Sequence, residues 1–423
     1  MKRTVTPKLA AYAVLTALGL LAALVAGRPE LALIAAPFGV VLAAGLAGAR
    51  EPELRLALEL ERERVLEGDE VTLEVDLHAR RGASRLEVLV ELPPEFELRS
   101  GPGRVALHLS TGEERQLELR LRCGRWGGYS FGDVHLRASD AFGLLAWEQT
   151  IEHRLQLRVY PRPEALRELV RPLETQVSTG NRVSRQKGEG LEFADLRPFA
   201  GGDRIRLINW RASARRNELW VNEHYAERNA DVIVFLDSFA EARRSGEGTL
   251  DQAIRAAASL SERYLAQRDR VGLVNFGGVL NWLRPGTGPL QLYRIVEALL
   301  NTEVVLSYAW KQIDILPPRT LPPKSLILAL SPLLDERATS ALLDLRSRGF
   351  DLVIVEISPE PFVEEPPGVS GALAVRLWKL RREARRREYE RAGAPVAQWR
   401  QGEPLTAVLE GVSAFRRHAR ARA

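Results

Sequence analysis

Two uncharged apolar runs dominate the start of the chain, at residues 9–27 and 31–49, with only Arg28-Pro29-Glu30 between them. Each run is about as long as a helix that crosses the hydrocarbon core of a bilayer. So short a connection forces the two spans to be antiparallel. The pattern therefore predicts a two-helix transmembrane hairpin in residues 1–50. A cleaved signal peptide is the alternative for the first run alone.

The positive-inside rule orients this hairpin. Lys2, Arg3 and Lys8 precede the first span and are expected in the cytoplasm. An even number of spans returns the chain to the side on which it began. We therefore expect a protein of the cell membrane, multi-pass with two spans, whose soluble domains face the cytoplasm.

Residues 51–160 alternate polar and apolar positions with a period of two, as in the stretches 53–63 and 70–78. Further short runs of this kind are separated by turn residues such as Gly68-Asp69 and Pro93-Pro94. About seven short strands at regular spacing predict an immunoglobulin-like β-sandwich for this domain.

From residue 230 onward the period changes. A continuous apolar run at 231–236 is followed by apolar residues at helical spacing in 250–267, and the alternation of strands and helices continues to residue 360. This order predicts an α/β doubly wound domain whose functional loops lie at the carboxyl ends of the strands. Residues 361–423 form a basic, helical C-terminal region, and residues 161–229 join the two domains.

The stretch 187–229, here called the signature segment, keeps neither a helical nor a strand period. It places Glu192 and Asp203 among several arginines, including Arg197 and Arg206. Guanidinium groups suit bidentate pairing with carboxylates when both are partly buried. We expect a network of ion pairs that joins the neighbouring domains, with a solvated charged loop as the alternative.

The signature segment closely resembles the pattern of the DUF58 family. The resemblance is carried by Gly190, Glu192, Phe193, Arg197, Phe199, Gly202, Asp203, Arg206, Ile208, Trp210, Ser213, Ala214 and Arg215. One departure is Asn209, where the family usually has Asp before Trp. The resemblance implies a bacterial membrane protein with a transmembrane hairpin, a β-rich segment and a von Willebrand factor A-like domain. It also implies an association with MoxR-type AAA+ ATPases.

A von Willebrand A-like sheet commonly carries a metal site with the motif D-x-S-x-S after its first strand, because Mg²⁺ prefers hard oxygen ligands. The corresponding residues are Asp237, Ser238 and Glu241, with Phe239 and Glu241 in place of the two later motif residues. Ser331-Pro332 stands where Ser-Asp or Thr-Asp is usual. We expect no working metal site, and Asp237, Ser238 and Glu241 remain weak candidates.

Composition and motifs exclude several classes of protein and of functional site. With 423 residues, 45% hydrophobic and 27% charged, the chain is neither disordered nor wholly membrane-embedded. The single cysteine, Cys123, excludes an internal disulfide. The net charge of +5 arises from mixed charges, and the central domains lack the basic stripe with interleaved aromatics that is typical of nucleic-acid binding. No P-loop, G-x-S-x-G or H-E-x-x-H motif occurs, so we predict no catalytic residue and no cofactor.

The preferred hypothesis is a membrane-anchored, non-enzymatic adaptor that presents its domains to a protein partner, a MoxR-type ATPase by family resemblance. One alternative is a binding module that depends on Mg²⁺ held by Asp237. Another is an enzyme of the cell envelope with Glu192 or Asp203 as acid or base. The basic residues of 372–391 and of the C-terminus have two explanations: contact with anionic lipid, or a solvated helix face.

Overall fold

A computed structural model describes residues 1–172, 176–177, 183–201, 203–229, 231–244, 246–304 and 321–422 of the chain. These residues form two compact units, Met1–Pro161 and Arg162–Ala423. The backbone alone is described for 176–177, 183–194, 224–229 and 418–422.

The first unit begins with a helical hairpin, α1 (Pro7–Ala26) and α2 (Glu30–Gly48). Both helices are long and apolar enough to cross a membrane. Thr6 caps the start of α1 by accepting a hydrogen bond from the Leu9 N–H, and Gly27 ends the helix in the left-handed region with φ of 63°. At Gly19 an added Cβ would lie 2.5 Å from the Ala35 Cβ, so the absence of a side chain lets the helices pack closely.

Both ends of the hairpin are tied to the β-domain of the same unit. A strand that the sequence pattern does not predict, β1 (Lys2–Val5), pairs antiparallel with β11 (Leu145–Ile151). The Thr6 hydroxyl donates to the Gly143 carbonyl at 2.7 Å. At the other end, the N-terminal ammonium group lies 2.7 Å from Glu51. The start of α1 and the end of α2 therefore lie on the same side of the hairpin.

Three sheets build the β-domain, with strand orders β1-β11-β10-β5-β7, β2-β4-β8-β6 and β3-β12-β9. The remaining strands of this unit are β2 (Glu53–Leu60), β3 (Arg64–Leu66), β4 (Glu70–Arg81), β5 (Ala83–Val90), β6 (Phe96–Ser100), β7 (Arg104–Leu109), β8 (Glu114–Cys123), β9 (Gly127–Phe131), β10 (Val134–Ser139) and β12 (Leu155–Tyr160). The alternation in β4, where every second residue is buried, places Leu73 and Val75 in a core shared with Leu86 of β5 and Leu136 of β10. The period-two pattern therefore located the core correctly.

The second unit opens with a short β13 (Gln176–Val177) and two long antiparallel strands, β14 (Val183–Pro198) and β15 (Trp220–Asn229). The sequence of this segment shows no strand period, and the pairing explains why. The register between β14 and β15 shifts at several points, so side chains do not alternate regularly along the ladder. Between the two strands lies α3 (Trp210–Arg216).

A six-stranded sheet forms the centre of this unit, in the order β20-β19-β16-β21-β22-β23. Its strands are β16 (Asp231–Ser238), β19 (Arg270–Gly277), β20 (Asn281–Gly286), β21 (Leu326–Ser331), β22 (Asp351–Ile357) and β23 (Val396–Trp399). All neighbours are parallel except β19 and β20, which form an antiparallel hairpin. A small separate pair, β17 (Arg243–Arg244) and β18 (Glu247–Gly248), follows β16.

Helices cover both faces of this sheet. They are α4 (Thr249–Ala266), α5 (Gly288–Leu300), α6 (Glu336–Ser347), α7 (Val369–Arg391) and α8 (Leu405–Arg422). Every residue of β16 is buried, and successive side chains of a strand point to opposite faces. Ile233 and Phe235 share a core with α6. The alternate residues, such as Val234, must then be covered from the other face, as in a doubly wound sheet.

Candidate functional site

The order of the strands identifies one candidate site. Counted from β16, the sequence of neighbours corresponds to 3-2-1-4-5-6, in which the chain reverses direction between β16 and β21. In such sheets ligands bind beyond the carboxyl ends of the strands at this switch point. Here β16 ends with Asp237-Ser238 and β21 ends with Ser331. Two of the three metal candidates, Asp237 and Ser238, therefore lie at the switch point between these strands.

Asp237 is buried, with 2% of its surface exposed. Its Oδ2 accepts a hydrogen bond from the Ser331 hydroxyl at 2.5 Å, and its Oδ1 accepts one from the Phe239 N–H at 3.1 Å. Burial raises the pKa of the Asp237 carboxyl from its ordinary 3.8 to about 7, against the two hydrogen bonds, which favour the charged form. The carboxyl group therefore changes charge near neutral pH.

The other two metal candidates face different partners. The Ser238 hydroxyl donates to Oδ1 of Asn275 at 2.7 Å. Glu241 accepts hydrogen bonds from the Arg243 guanidinium at 2.9 and 3.1 Å. The three side chains thus make separate contacts and do not form a common oxygen shell. Among the residues that the structure describes, no group of three or more His, Cys, Asp or Glu is placed to hold a metal ion.

Phe239 stands where the D-x-S-x-S pattern would have its first serine, and its apolar side chain is buried two residues after Asp237. Its ring is buried and packs edge-on against Phe276, with 5.0 Å between the ring centroids. The Arg337 guanidinium lies 4.1 Å from the Phe239 ring centroid and is held there by bonds to Asp335 at 3.0 and 2.8 Å. Phenylalanine in place of serine therefore exchanges a potential ligand for packing.

Helix α7 covers the loop that follows β21. Arg382 is buried, donates to the Pro332 carbonyl at 2.8 Å and pairs with Glu356, which is fully buried on β22. Arg386 adds a second contact to Glu356 at 3.4 Å. A solvated basic face was one explanation of this helix, and it is wrong for Arg382. The sequence did hold a clue, since Glu356 is the one acidic residue inside the apolar run 352–357.

The C-terminal basic cluster also contributes to the core. Arg416 of α8 is buried and bonds both oxygens of Asp351 at 2.7 and 2.6 Å. One guanidinium nitrogen, Nη2, makes both bonds, so this is a charge-assisted contact to both carboxylate oxygens and not a two-nitrogen fork. Arg416 thus holds α8 against the start of β22, whereas the side chains of 418–423 lie outside the described residues.

The second candidate site is the signature segment. Arg197, at the end of β14, forms a bidentate pair with Asp203, with both distances at 2.6 Å, and its Nε donates to Glu223 of β15 at 2.9 Å. The Ala200 N–H donates to Asp203 as well, at 2.7 Å. The Arg197 guanidinium holds the pKa of Asp203 at about 2, below its ordinary 3.8. The predicted arginine–carboxylate pairing is present at these residues.

Asn209 and Ser213 fix the short helix α3. The Asn209 Oδ1 accepts from the Ala212 N–H at 3.0 Å, and its Nδ2 donates to Asn222 at 2.8 Å. The buried Ser213 hydroxyl donates to the Asn209 carbonyl and accepts from the Trp220 N–H at 2.9 Å. An asparagine serves both as helix cap and as amide donor, so this position needs no carboxylate.

Several signature residues are exposed, contrary to the expectation of a buried network. Ile205 is 72% exposed and Trp210 is 65% exposed. Arg206, Arg211 and Arg215 are exposed too. We call these five residues the signature surface. It contains arginines and apolar side chains, and residues 204–217 include no acidic residue.

Four further signature positions are described less fully. Gly190, Glu192 and Phe193 lie on β14, where the structure describes the backbone but not the side chains. Gly202 lies outside the described residues. Our expectations for the Glu192 carboxylate and for Gly202 therefore stay predictions.

Comparison with known proteins finds a family whose pattern is similar to part of the chain. The family described as "Protein of unknown function DUF58" matches residues 195–387, which supports the DUF58 resemblance over that range. The match takes in Arg197, Asp203 and the signature surface but begins after Gly190, Glu192 and Phe193. The "Uncharacterized protein YeaD" of Bacillus subtilis (strain 168) is 23% identical over 224 residues, or 52% of this chain and 55% of that protein. The chain thus spans about half the length of this curated relative.

Two solved structures resemble part of the chain. The cupredoxin domain of amoB from Nitrosocaldus yellowstonii is 10% identical, covers 25% of this chain and 86% of its own, and has a TM-score of 0.19. The FixG-related protein from Vibrio parahaemolyticus is 8% identical, covers 26% of this chain and 98% of its own, and has a TM-score of 0.17. At these TM-scores neither likeness carries an argument about fold or function.

Proposed function

We propose that this protein is a membrane-anchored, non-enzymatic adaptor that binds an acidic protein partner through its signature surface. The observation that carries the proposal is the exposure of Trp210 on a support that is itself fixed by ion pairs and hydrogen bonds. The family resemblance names the partner class, a MoxR-type AAA+ ATPase.

The support under the surface is preorganised. Arg197 ties β14 to β15 through Glu223 and holds the following turn through Asp203. Ser213 and Asn209 tie α3 back to β15. Side chains held on such a support lose less entropy on binding than those of a mobile loop.

The composition of the surface suits a protein partner. Tryptophan and arginine are the residue types most often found to dominate binding energy at protein interfaces. The guanidinium groups of Arg206, Arg211 and Arg215 match carboxylates in geometry and charge. A partner that offers acidic side chains around an apolar pocket would accommodate Trp210.

The paired carboxylate argues against acid–base chemistry in the same place. Asp203 is bonded by Arg197 and by the Ala200 N–H, and its pKa is lowered. A general acid or base works best with a pKa near the working pH. The signature therefore uses Asp203 to hold structure.

Membrane anchorage rests on α1 and α2. Because β1 and the stretch after α2 meet the same β-domain, that domain and Lys2, Arg3 and Lys8 share one side. The positive-inside rule assigns that side to the cytoplasm. We further propose that the β-domain is an immunoglobulin-like sandwich and that the six-stranded sheet is a von Willebrand A-like domain.

Binding of a purified MoxR-type ATPase from the same cells to the full-length protein in detergent tests the proposal. Truncation of an interface hot spot costs about 2 kcal/mol or more, so Trp210→Ala should weaken binding about 30-fold. Trp282→Ala is the matched control, because Trp282 is an exposed tryptophan of the same unit outside the signature. Equal affinity for the parent and Trp210→Ala would refute the proposal. Loss of binding on chelation or in Asp237→Ala would instead favour the Mg²⁺-dependent module.

A further inference from the structure

Helix α7 has one face that serves the fold. Arg382 and Tyr389 on this face are buried, and they bond the Pro332 and Thr339 carbonyls at 2.8 and 3.1 Å. These contacts account for the attachment of α7 to the α/β sheet. A helix that only covers a sheet needs one such face.

The opposite face carries an apolar stripe. Its members are Val369, Leu373, Leu377 and Leu380, each between 54% and 79% exposed. At about 100° per residue, the four fall within an arc of about 80°, on the side of the helix away from Arg382. A contiguous exposed patch of large apolar side chains marks a contact surface.

The charge around the stripe identifies what covers it. Helix α7 has eight basic residues against three glutamates, an excess of five that equals the net charge of the whole chain. Arg376 and Arg381 are exposed beside the leucines, whereas Lys379 pairs with Glu360 at 3.0 Å. A second copy of α7 would bring two strongly positive helices together, so charge opposes self-pairing. Leucines flanked by arginine and lysine are typical of helices that lie on anionic bilayers.

We propose that α7 lies on the anionic surface of the membrane, with the stripe at headgroup depth and Arg376 and Arg381 against lipid phosphates. The inference rests on the proposed membrane anchorage, because α1 and α2 keep the chain beside a bilayer. Each basic side chain near an anionic surface strengthens the electrostatic attraction between the helix and the lipid, and salt weakens this attraction by screening the charges.

A single-cysteine probe tests this contact in the full-length protein. The native Cys123 is buried, and burial raises the pKa of its thiol to about 11, so it is protected from labelling. Leu377→Cys carries an environment-sensitive fluorophore on the stripe. Ser340→Cys, an exposed position on α6, is the matched control. Both are placed in nanodiscs of phosphatidylcholine alone or with added phosphatidylglycerol.

We expect phosphatidylglycerol to shift the emission of the Leu377 probe to the blue and to protect it from iodide quenching, without effect at Ser340. Charge reversal of Arg376 and Arg381 to Glu should abolish this response. Equal quenching at Leu377 in both lipids would overturn the proposal. So would protection in detergent that grows with protein concentration, which would show a second copy on the stripe.

The same preparation separates this inference from the anchorage. A chain that stays with phosphatidylcholine nanodiscs through high salt is anchored by its hairpin, whatever α7 does. A chain that dissociates from the phosphatidylcholine nanodiscs at high salt refutes the anchorage. In that case, the contact of α7 is still tested by whether added phosphatidylglycerol discs protect the Leu377 probe from quenching.

Discussion

The buried carboxyl group of Asp237 should make the α/β unit less stable as the pH rises, and Asp237→Asn should remove that dependence. The asparagine can keep both contacts, with its Oδ1 accepting from the Phe239 N–H and its Nδ2 donating to the Ser331 hydroxyl. The substitution therefore removes the ionisable group while preserving shape and both contacts, with the direction of the Ser331 hydrogen bond reversed.

The sign follows from the raised pKa. Below about pH 4 the carboxyl is protonated in both the folded and the unfolded chain, so its burial carries no ionisation cost. Between pH 4 and 7 the unfolded chain ionises while the folded state, with a pKa of about 7, keeps the proton. At about 1.4 kcal/mol per pH unit, this range of about three units corresponds to a loss of up to about 4 kcal/mol.

Amide hydrogen exchange suits the measurement, because two units need not unfold together and exchange reports each element separately. Peptides from β16 and β21 in the full-length protein should show that the opening free energy of the parent falls relative to Asp237→Asn between pH 4 and 8. Ser331→Ala is the companion variant. Without the Ser331 hydroxyl the charged form loses a donor, so the loss of stability should extend to higher pH.

A parental pH slope in Asp237→Asn would refute this reasoning. It would mean that the carboxyl is solvated or paired in the folded protein, so that its folded and unfolded pKa values agree. The difference between the two proteins is the quantity to compare, since all other titrating groups contribute equally to both.

Two further predictions concern buried polar contacts. Arg382→Ala leaves the fully buried Glu356 with only Arg386 near it, so it should destabilise the α/β unit by about 3–5 kcal/mol. The double variant Arg382→Met with Glu356→Leu should recover most of this loss. Equal thermal melts of the parent and the single variant would contradict the prediction. Ser213→Ala leaves the Trp220 N–H without its acceptor, so it should lower the protection of α3 and β15 from hydrogen exchange by about 1–3 kcal/mol. Ala214→Ser, at an exposed position, is the control. Unchanged protection in Ser213→Ala would contradict the role of this hydroxyl.

The local pattern of the sequence determined the regular elements. The hairpin helices, the strands β2 and β4 of the β-domain, and β16 and α4 of the α/β unit lie close to the predicted ranges. The boundaries of α4, for example, agree with the predicted 250–267 within a residue. These elements are set by the spacing of apolar residues along a single segment, which a sequence displays directly.

Pairing between distant segments was decided by the tertiary structure. The strand β1 contains two charged residues and follows no apolar alternation, yet it completes a sheet edge against β11, which is far along the chain. The ladder between β14 and β15 was hidden because its irregular register disrupts the period of two. Backbone hydrogen bonds hold such strands regardless of side-chain pattern, so periodicity does not reveal them.

The candidate sites show the same division. Composition indicated that carboxylates of the signature segment would pair with arginines, but the pairing of Arg197 with Asp203 came from the structure. Which arginines are buried depended on the elements that face them: Arg382 meets Glu356 beneath a helix, whereas Arg206 lies on an exposed turn. The sequence thus determined the types of side chain available for contact, and the packing of helices and strands decided which charges were withdrawn from water, because burial is a property of the whole fold.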